Sequence, residues 1–391
     1  MHILLVTTGY PPEHSGAGGR LHRMYQRLAK ADPTLSWSVV TKRRDQSAGS
    51  IDGPKRFLAF SRDREEFSSW RNALLELVWT VRQLRSGLLD GVDLVHSAGW
   101  SWMAPLILHA ARRRRLALIR ELTTIGDGGR DSIGGRLIRW TNRMADAVVA
   151  ISPKLAEAAR RTILADTPIW CRPNGVDPQR FSPGDVGVRA DARAGLRQWL
   201  PQLKDTDIVV LHVGRIRPLK NQLLLAESVA RLPARFHLML AGPAFCSDDE
   251  YVMRLRRRLA LPDLASRAAL VERQFGDVER LMQGADVFAF PSTSEGLGTV
   301  MIEALSCGLP VVASRLPGVT DWVVEDGVNG LLSALEPEQF AQKLLAATAL
   351  TAARPRIAAE AAKTYGQAAM DEGYRALLAR VRAFKSPLHA P

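Results

Sequence analysis

Short apolar runs and amphipathic stretches alternate along this chain, and they do so twice, on either side of one cluster of turn residues. In the first half the runs are His2–Val6, Trp37–Thr41, Val92–His96, Leu116–Arg120, Ala147–Ile151 and Ile169–Arg172. Between them, Arg20–Ala31, Asn72–Leu88 and Pro153–Ala165 are amphipathic and read as helices. Strands separated by helices pair as a parallel sheet covered on both faces, with ligands at the carboxyl ends of the strands. Pro173-Asn174-Gly175-Val176-Asp177-Pro178 interrupts the pattern, and the passage to Lys204 reads as an interdomain linker. The alternation then restarts. Strands are expected at Ile208–Val213, His237–Ala241, Ala269–Glu272, Val287–Phe290 and Val311–Ala313. Helices are expected at Asn221–Leu232, Asp249–Leu259, Val278–Gln283 and Val300–Ser306, followed by a helical tail from Pro337 to Phe384. At 391 residues the chain is long enough for two such α/β domains, each with its own core.

Composition removes several classes of protein. With 46% hydrophobic and 24% charged residues, neither a disordered nor a collagen-like chain is expected. Cys171, Cys246 and Cys307 are too few and too scattered for a disulfide framework or a zinc cluster. The opening Met1–Val6 lacks the basic start and long apolar core of a secretory leader, so a cytoplasmic chain is expected. Leu94 to Ala111 has no Asp, Glu, Lys or Arg, but His96, Ser97, Ser101 and His109 make it too polar for a membrane span. A buried strand followed by a helix fits it better. The net charge is +13, and residues 1–200 carry 31 Lys and Arg against 19 Asp and Glu, so almost all the excess lies in the first half.

Three stretches have the makings of a ligand site. Pro291-Ser292-Thr293-Ser294-Glu295-Gly296-Leu297-Gly298-Thr299 joins an apolar strand to a helix whose first amides lack intrahelical partners. Glycines just before a helix start let an anion approach closely. Glu295 and Glu303 would repel a phosphate there but would suit hydroxyl groups, and a sugar on a nucleoside diphosphate offers both. The spacing alone means little, because 17 glutamates give a pair eight apart about 0.7 times by chance. The second stretch, Val213-Gly214-Arg215-Ile216-Arg217-Pro218-Leu219-Lys220-Asn221, also follows a strand. Its Arg215 fork and Lys220 point charge suit a diphosphate. The third, Thr8-Gly9-Tyr10-Pro11-Pro12 with Gly16-Ala17-Gly18-Gly19-Arg20, lies between the first strand and helix. It lacks the dinucleotide spacing, and no acidic residue closes the second strand, so a nicotinamide cofactor is disfavoured.

Taken together, the chain resembles retaining glycosyltransferases of the glycosyltransferase-B fold, in glycosyltransferase group 1 (family 4). The resemblance runs nearly end to end: the glycine-rich loop, Asp93-Leu94-Val95-His96, Ala145–Ser152, Pro173-Asn174-Gly175-Val176-Asp177, Gly214-Arg215 with Lys220, and above all Pro291 to Ala313. It implies two Rossmann-like doubly wound domains facing across a cleft. These would be an acceptor-binding domain over 1–185, a nucleotide-sugar domain over 186–370, and a C-terminal helix over 371–391 returning to the first. It also implies roles. Arg215 and Lys220 would neutralise the leaving diphosphate, and Glu295 would hold the donor sugar. Glu303 would bind the ribose. The amides of Leu297, Gly298 and Thr299, in the Gly296–Thr299 turn, would contact sugar and phosphate. Gly18 and Gly19 would close onto the phosphates, and Gly214 would be among the donor-binding residues. Asn221 stands where a glycine is common. The histidine that many relatives carry after the fourth strand is missing from Arg120–Asp127, with Glu121 a candidate to replace it.

The expected activity is therefore retaining transfer of a sugar from a nucleoside-diphosphate sugar to a glycan or lipid-linked acceptor, in cell-envelope or extracellular polysaccharide synthesis. An epimerase or hydrolase of the same fold is the alternative. No metal or other cofactor is expected, because Asp205-Thr206-Asp207 precedes a strand in the linker and such triplets arise by chance. The basic first half, with Arg112–Arg115, Lys42-Arg43-Arg44 and Arg71, Arg82 and Arg85 beside Trp70, Leu74, Leu75 and Trp79, suggests a face for an anionic membrane. Nucleic acid is not an expected partner, since basic patches interleaved with exposed aromatics and a recognisable nucleic-acid module are both missing.

Overall fold

The computed structural model describes residues 1–11, 16–43, 56–60, 70–123, 133–244 and 249–384. The chain forms two compact units, Met1–Asn174 with Met370–Pro391, and Gly175–Ala369.

In the first unit the elements run β1 (His2–Thr7), α1 (Gly16–Ala31), β2 (Ser36–Arg43), β3 (Arg56–Phe60), α2 (Trp70–Arg85) and β4 (Leu94–Ala98). They continue through α3 (Met103–Arg113), β5 (Ala117–Leu122), α4 (Ile133–Arg143), β6 (Ala147–Ala150), α5 (Pro153–Arg160) and β7 (Ile169–Cys171). All seven strands are parallel, in the order β3-β2-β1-β4-β5-β6-β7. Successive side chains of a strand point to opposite faces, so a strand covered on both sides is apolar along most of its length. β1 shows the consequence. Ile3 and Leu5 pack with Leu21, Tyr25 and Leu28 of α1, while Leu4 and Val6 pack with Met103, Ile107 and Leu108 of α3.

The second unit contains α6 (Val186–Leu196), β8 (Ile208–Val213), α7 (Gln222–Ala230), β9 (Phe236–Ala241), α8 (Glu250–Leu259), β10 (Ala268–Val271) and α9 (Val278–Gly284). After these come β11 (Val287–Phe290), α10 (Thr299–Ser306), β12 (Val311–Ser314), α11 (Thr320–Val323), β13 (Gly330–Ser333), α12 (Pro337–Ala347) and α13 (Arg354–Tyr365). Its six parallel strands run β10-β9-β8-β11-β12-β13. One face of the sheet, with Val210, Leu238 and Leu240, buries Leu225 and Val229 of α7 together with Phe340 and Leu344 of α12.

The last helix, α14 (Gln367–Phe384), carries the chain back into the first unit. Tyr374, Leu377, Leu378 and Val381 join the Ile3–Leu5 core. Arg27 grips Asp371 through Nε and one terminal nitrogen, at 2.6 and 2.8 Å. Beside them lies a buried polar cluster. Glu121 accepts from the Tyr374 hydroxyl at 2.6 Å and is paired with Arg20. The Tyr25 hydroxyl donates to Nδ1 of His96 at 2.7 Å, and Nε2 of His96 lies 3.3 Å from Glu121.

Three expectations need correction. The passage to Lys204 is not all linker: α6 is capped by Asp185, which accepts from Val188 N, and buries Ala192 and Leu196. It packs so closely on α9 that a Cβ on Gly284 would lie 2.9 Å from the Ala192 backbone. The boundary at 185/186 moves to 174/175, because Val176 bridges Gly366 and Arg180 pairs with Glu279, both in the second unit. Lys42 does not belong to a basic surface either; it is buried in a 2.5 Å pair with Glu76.

Desolvation, reinforced by Arg20 and Arg120, pushes the pKa of His96 down to about 3. Between that value and the ordinary 6.5 the unfolded chain binds a proton that the folded chain refuses. The stabilisation is thus complete above pH 6.5 and falls as the pH drops toward 3. Acidification from pH 7 to 5 should cost the first unit about 2 kcal/mol through this residue. Urea titrations at the two pH values check it, with His96→Asn expected to flatten the difference.

Candidate functional site

In each sheet the strand order reverses once, between β1 and β4 in the first unit and between β8 and β11 in the second. At such a reversal the flanking connections diverge to opposite faces and leave a crevice at the carboxyl ends of the strands. The two strongest sequence stretches follow β8 and β11.

After β8 the backbone is held by contacts too close for side chains. Gly214 N donates to Ala241 O at 2.9 Å, and Gly242 has φ +149°. A Cβ on Gly242 would lie 2.1 Å from Gly214 O. The turn Pro218–Lys220 then delivers Lys220, and Asn221 adopts φ +55° before α7. Left-handed backbone explains why glycine is common at this position and why asparagine, the side chain best able to adopt it, can stand there. Beneath the loop a neutral relay fixes its path. His212 Nδ1 donates to Ala289 O at 2.9 Å, which leaves Nε2 as an acceptor facing Gln222 Nε2 at 3.4 Å. Gln222 donates to Arg215 O at 2.8 Å and accepts from the Tyr251 hydroxyl at 3.1 Å. Burial keeps His212 uncharged, with its pKa lowered to about 4.

After β11 the loop is tied on both sides. Thr293 N donates to Leu219 O at 2.9 Å, and Ser314 Oγ donates to Ser292 O at 2.5 Å. Gly298 caps α10 with φ +77°, and a Cβ there would press on the Phe290 ring at 2.7 Å. The N-cap position of α10 is Gly298, which has no side chain to offer, and no acid occupies the first turn, so the helix's positive end faces the loop. Lys220 Nζ reaches across to Glu295 Oε1 at 2.5 Å and lies 5.2 Å from the centre of the Phe290 ring.

Gly214, Lys220, Glu295 and the Gly296–Thr299 turn thus meet at one place. Leu297 is buried, so only its backbone is available there. Glu303 lies on α10 and is half-buried. Arg215 is exposed, and its guanidinium has no hydrogen bond or ion pair among the described residues. Gly18 and Gly19 are buried near the start of α1 in the first unit, just before Arg20. Glu121, the candidate for the missing histidine, has both carboxylate oxygens engaged in the buried cluster with Arg20 and Tyr374. Thr124–Asp127 of that segment, like Cys246 and Arg44, lie outside the described residues.

Asp205 pairs with Arg197 at 2.5 Å, and Asp207 accepts from Lys204 N at 2.9 Å and faces His237 Nε2 at 3.0 Å. Among the described residues no three His, Cys, Asp or Glu side chains are placed to hold a metal. Cys307 is buried, and desolvation raises its thiol pKa far from the reactive range. The residues sequence reasoning missed are His212, Gln222 and Tyr251. A histidine inside an apolar strand was the available signal.

Residues 14–180 match the family described as Glycosyltransferase Family 4, and residues 207–349 match Glycosyl transferases group 1. The D-inositol 3-phosphate glycosyltransferase of Mycobacteroides abscessus is 33% identical over 282 residues, which cover 64% of this chain and 57% of that protein. The corresponding enzyme of Actinosynnema mirum is 33% identical over 267 residues, 62% and 60% of the two chains. The chain thus spans less than two thirds of the length of these curated relatives. Among solved structures, the Anabaena protein HepE in complex with UDP superposes with a TM-score of 0.77 at 21% identity, over 97% of this chain and 100% of that one. Sucrose-phosphate synthase from Thermosynechococcus elongatus gives 0.79 at 20% identity, over 98% and 99%. Two family matches that between them take in both sheets, and neighbours sharing the complete architecture, place this chain among the group 1, family 4 glycosyltransferases with the glycosyltransferase-B fold.

Proposed function

We propose that the chain transfers a sugar, with retention and without a metal, from a nucleoside-diphosphate sugar to a glycan or lipid-linked acceptor at the cytoplasmic face of a membrane, in the synthesis of cell-envelope or extracellular polysaccharide. The observation that carries this reading is the meeting of Lys220, Glu295 and the glycine-led start of α10 at the β8/β11 reversal. Cation, carboxylate and the positive end of a helix are what a phosphorylated sugar requires side by side. UDP bound to HepE makes uridine nucleotides the first donors to test.

In this reading Lys220 leaves Glu295 for the diphosphate, joined by exposed Arg215, and Glu295 turns to the sugar hydroxyls. The bond from the anomeric carbon to the diphosphate oxygen breaks with its electrons passing to that oxygen. The acceptor hydroxyl attacks from the same face and gives its proton to the departing phosphate. Both carboxylates are assigned to hydroxyls, which leaves no nucleophile for a covalent intermediate. The fixed donors meet the developing charge without reorganising. Glu303 takes the ribose.

Support for membrane attachment lies on α2. Leu74, Leu75, Val78 and Val81 are 53, 56, 44 and 37% exposed, and exposed Arg82 and Arg85 share the helix. Leu74, Val78, Val81 and Arg85 recur at helical spacing on one side, an apolar face carrying cations. Trp79, expected on that face, packs instead against the core. Of the arginine run, Arg112 pairs with Asp146 and Arg114 with Asp90. Among the described residues no helix is long and apolar enough to cross a membrane.

Lys220→Ala should lower turnover by about 10²–10³ while the protein stays folded, and transfer assays with a panel of UDP-, GDP- and ADP-sugars check it. Glu303→Gln should weaken donor binding by about 1.5–3 kcal/mol, read by calorimetry. Incubation with nucleotide sugar alone separates transfer from epimerisation, which needs no acceptor. Co-sedimentation with anionic vesicles at low salt should be strong for the wild type and lost in Leu74→Asp/Leu75→Asp. Equal binding by the double variant would remove the membrane from the proposal.

A further inference from the structure

The reversal in the first sheet lies between β1 and β4, and the turn after β4 reads Gly99-Trp100-Ser101-Trp102. Both tryptophans are half-buried, with ring centres 5.8 Å apart and planes crossing at 67°. Neither indole N–H has a hydrogen-bond partner among the described residues. Two such rings left part-open at a strand end forgo apolar burial that a core position would supply, and their N–H groups normally find a partner when buried.

The turn beneath them is built at considerable cost. Gly99 has φ +72°, and its N–H donates to Glu121 O at 3.2 Å. Arg120, fully buried, donates from one terminal nitrogen to Gly99 O at 2.9 Å and Ser97 Oγ at 2.7 Å, and from Nε to Asn142 Oδ1 at 3.3 Å. No carboxylate pairs with this guanidinium among the described residues, and burying an unpaired charge is expensive. Ser101 then caps α3 by accepting from Ala104 N at 3.3 Å, and Trp102 already has helical backbone. The pair of rings therefore stands on a rigid turn at the crevice end of the sheet, where a doubly wound fold binds its ligand.

We propose that Trp100 and Trp102 form a platform for a pyranose ring of the acceptor, a reading that rests on the transfer function above. A pyranose has an apolar C–H face that stacks on an indole and a rim of hydroxyls that accept from the two indole N–H groups. An aromatic surface with a few unpaired donors is the usual composition of a small-ligand site.

Saturation-transfer NMR on the full chain tests this with methyl glucoside, methyl galactoside, methyl mannoside and methyl N-acetylglucosaminide as probes. Wild type should transfer saturation to the ring protons of at least one of them. Trp100→Ala and Trp102→Ala should each bind it about tenfold more weakly, the equivalent of about 1.4 kcal/mol. The Trp→Phe variants keep an aromatic face and should restore most of the affinity, which a role confined to folding would not separate from alanine once melting curves match. UDP titrated into the same samples reports the donor site independently. Donor binding without any glycoside signal, or equal signals from the alanine variants, overturns the platform and leaves the transfer reading standing. Glycoside binding without any nucleotide binding does the reverse.

Discussion

Parallel pairing is the constraint from which the rest follows. Parallel neighbours need a crossover of a dozen or more residues, and the helices that supply it cover both faces of the sheet. That leaves the strand ends as the only open part of each sheet. Where the order reverses, β1/β4 and β8/β11, the crossovers leave in opposite directions and no helix fills the gap. The residues that bear chemistry are gathered there because the architecture offers few other places. In the second unit the loops at the strand ends are packed until only glycine fits, at Gly242 against Gly214 and at Gly298 against Phe290.

Much of this was legible in the sequence, for a physical reason. A strand buried on both faces is mostly apolar, so β1, β4, β5, β8, β9 and β11 stand out as apolar runs even where a buried His96, Arg120 or His212 interrupts them. β3 and β13 are outer strands of their sheets, and α6 has two glycines and few buried side chains, so none of the three carries that signal. Lys220 and Glu295 were each legible as charges near a strand end. Their pairing was not, because the two are 75 positions apart and meet only when β8 and β11 lie side by side. Lys42 misled for the same reason: its partner Glu76 is on α2, and a charge in a strand looks like a surface charge until the covering helix is known.

The supporting residues were harder to see. His212, Gln222 and Tyr251 carry no net charge, and the first two are fully buried, yet the three set the course of the loop that bears Arg215 and Lys220. Arg120 does the same in the first unit for the turn after β4. In both units a polar side chain has been taken out of water, and the return is a fixed backbone rather than a contact with any ligand. Their roles are read from the hydrogen bonds, since a polar residue inside an apolar run marks the position but not the loop it holds.

The return of α14 has a consequence for how the chain comes to be folded. Its Tyr374, Leu377, Leu378 and Val381 complete a core begun by Ile3 and Leu5, so the first sheet to be synthesised is the last to be covered. The ribosome must make the entire second unit, Gly175–Ala369, before that cover emerges, a delay of about 10–40 s at ordinary elongation rates. During that interval the second unit has everything it needs to fold, while one flank of the first waits with its apolar side chains in water. Nascent-chain protection by chaperones should therefore concentrate on the first unit rather than on the part made most recently.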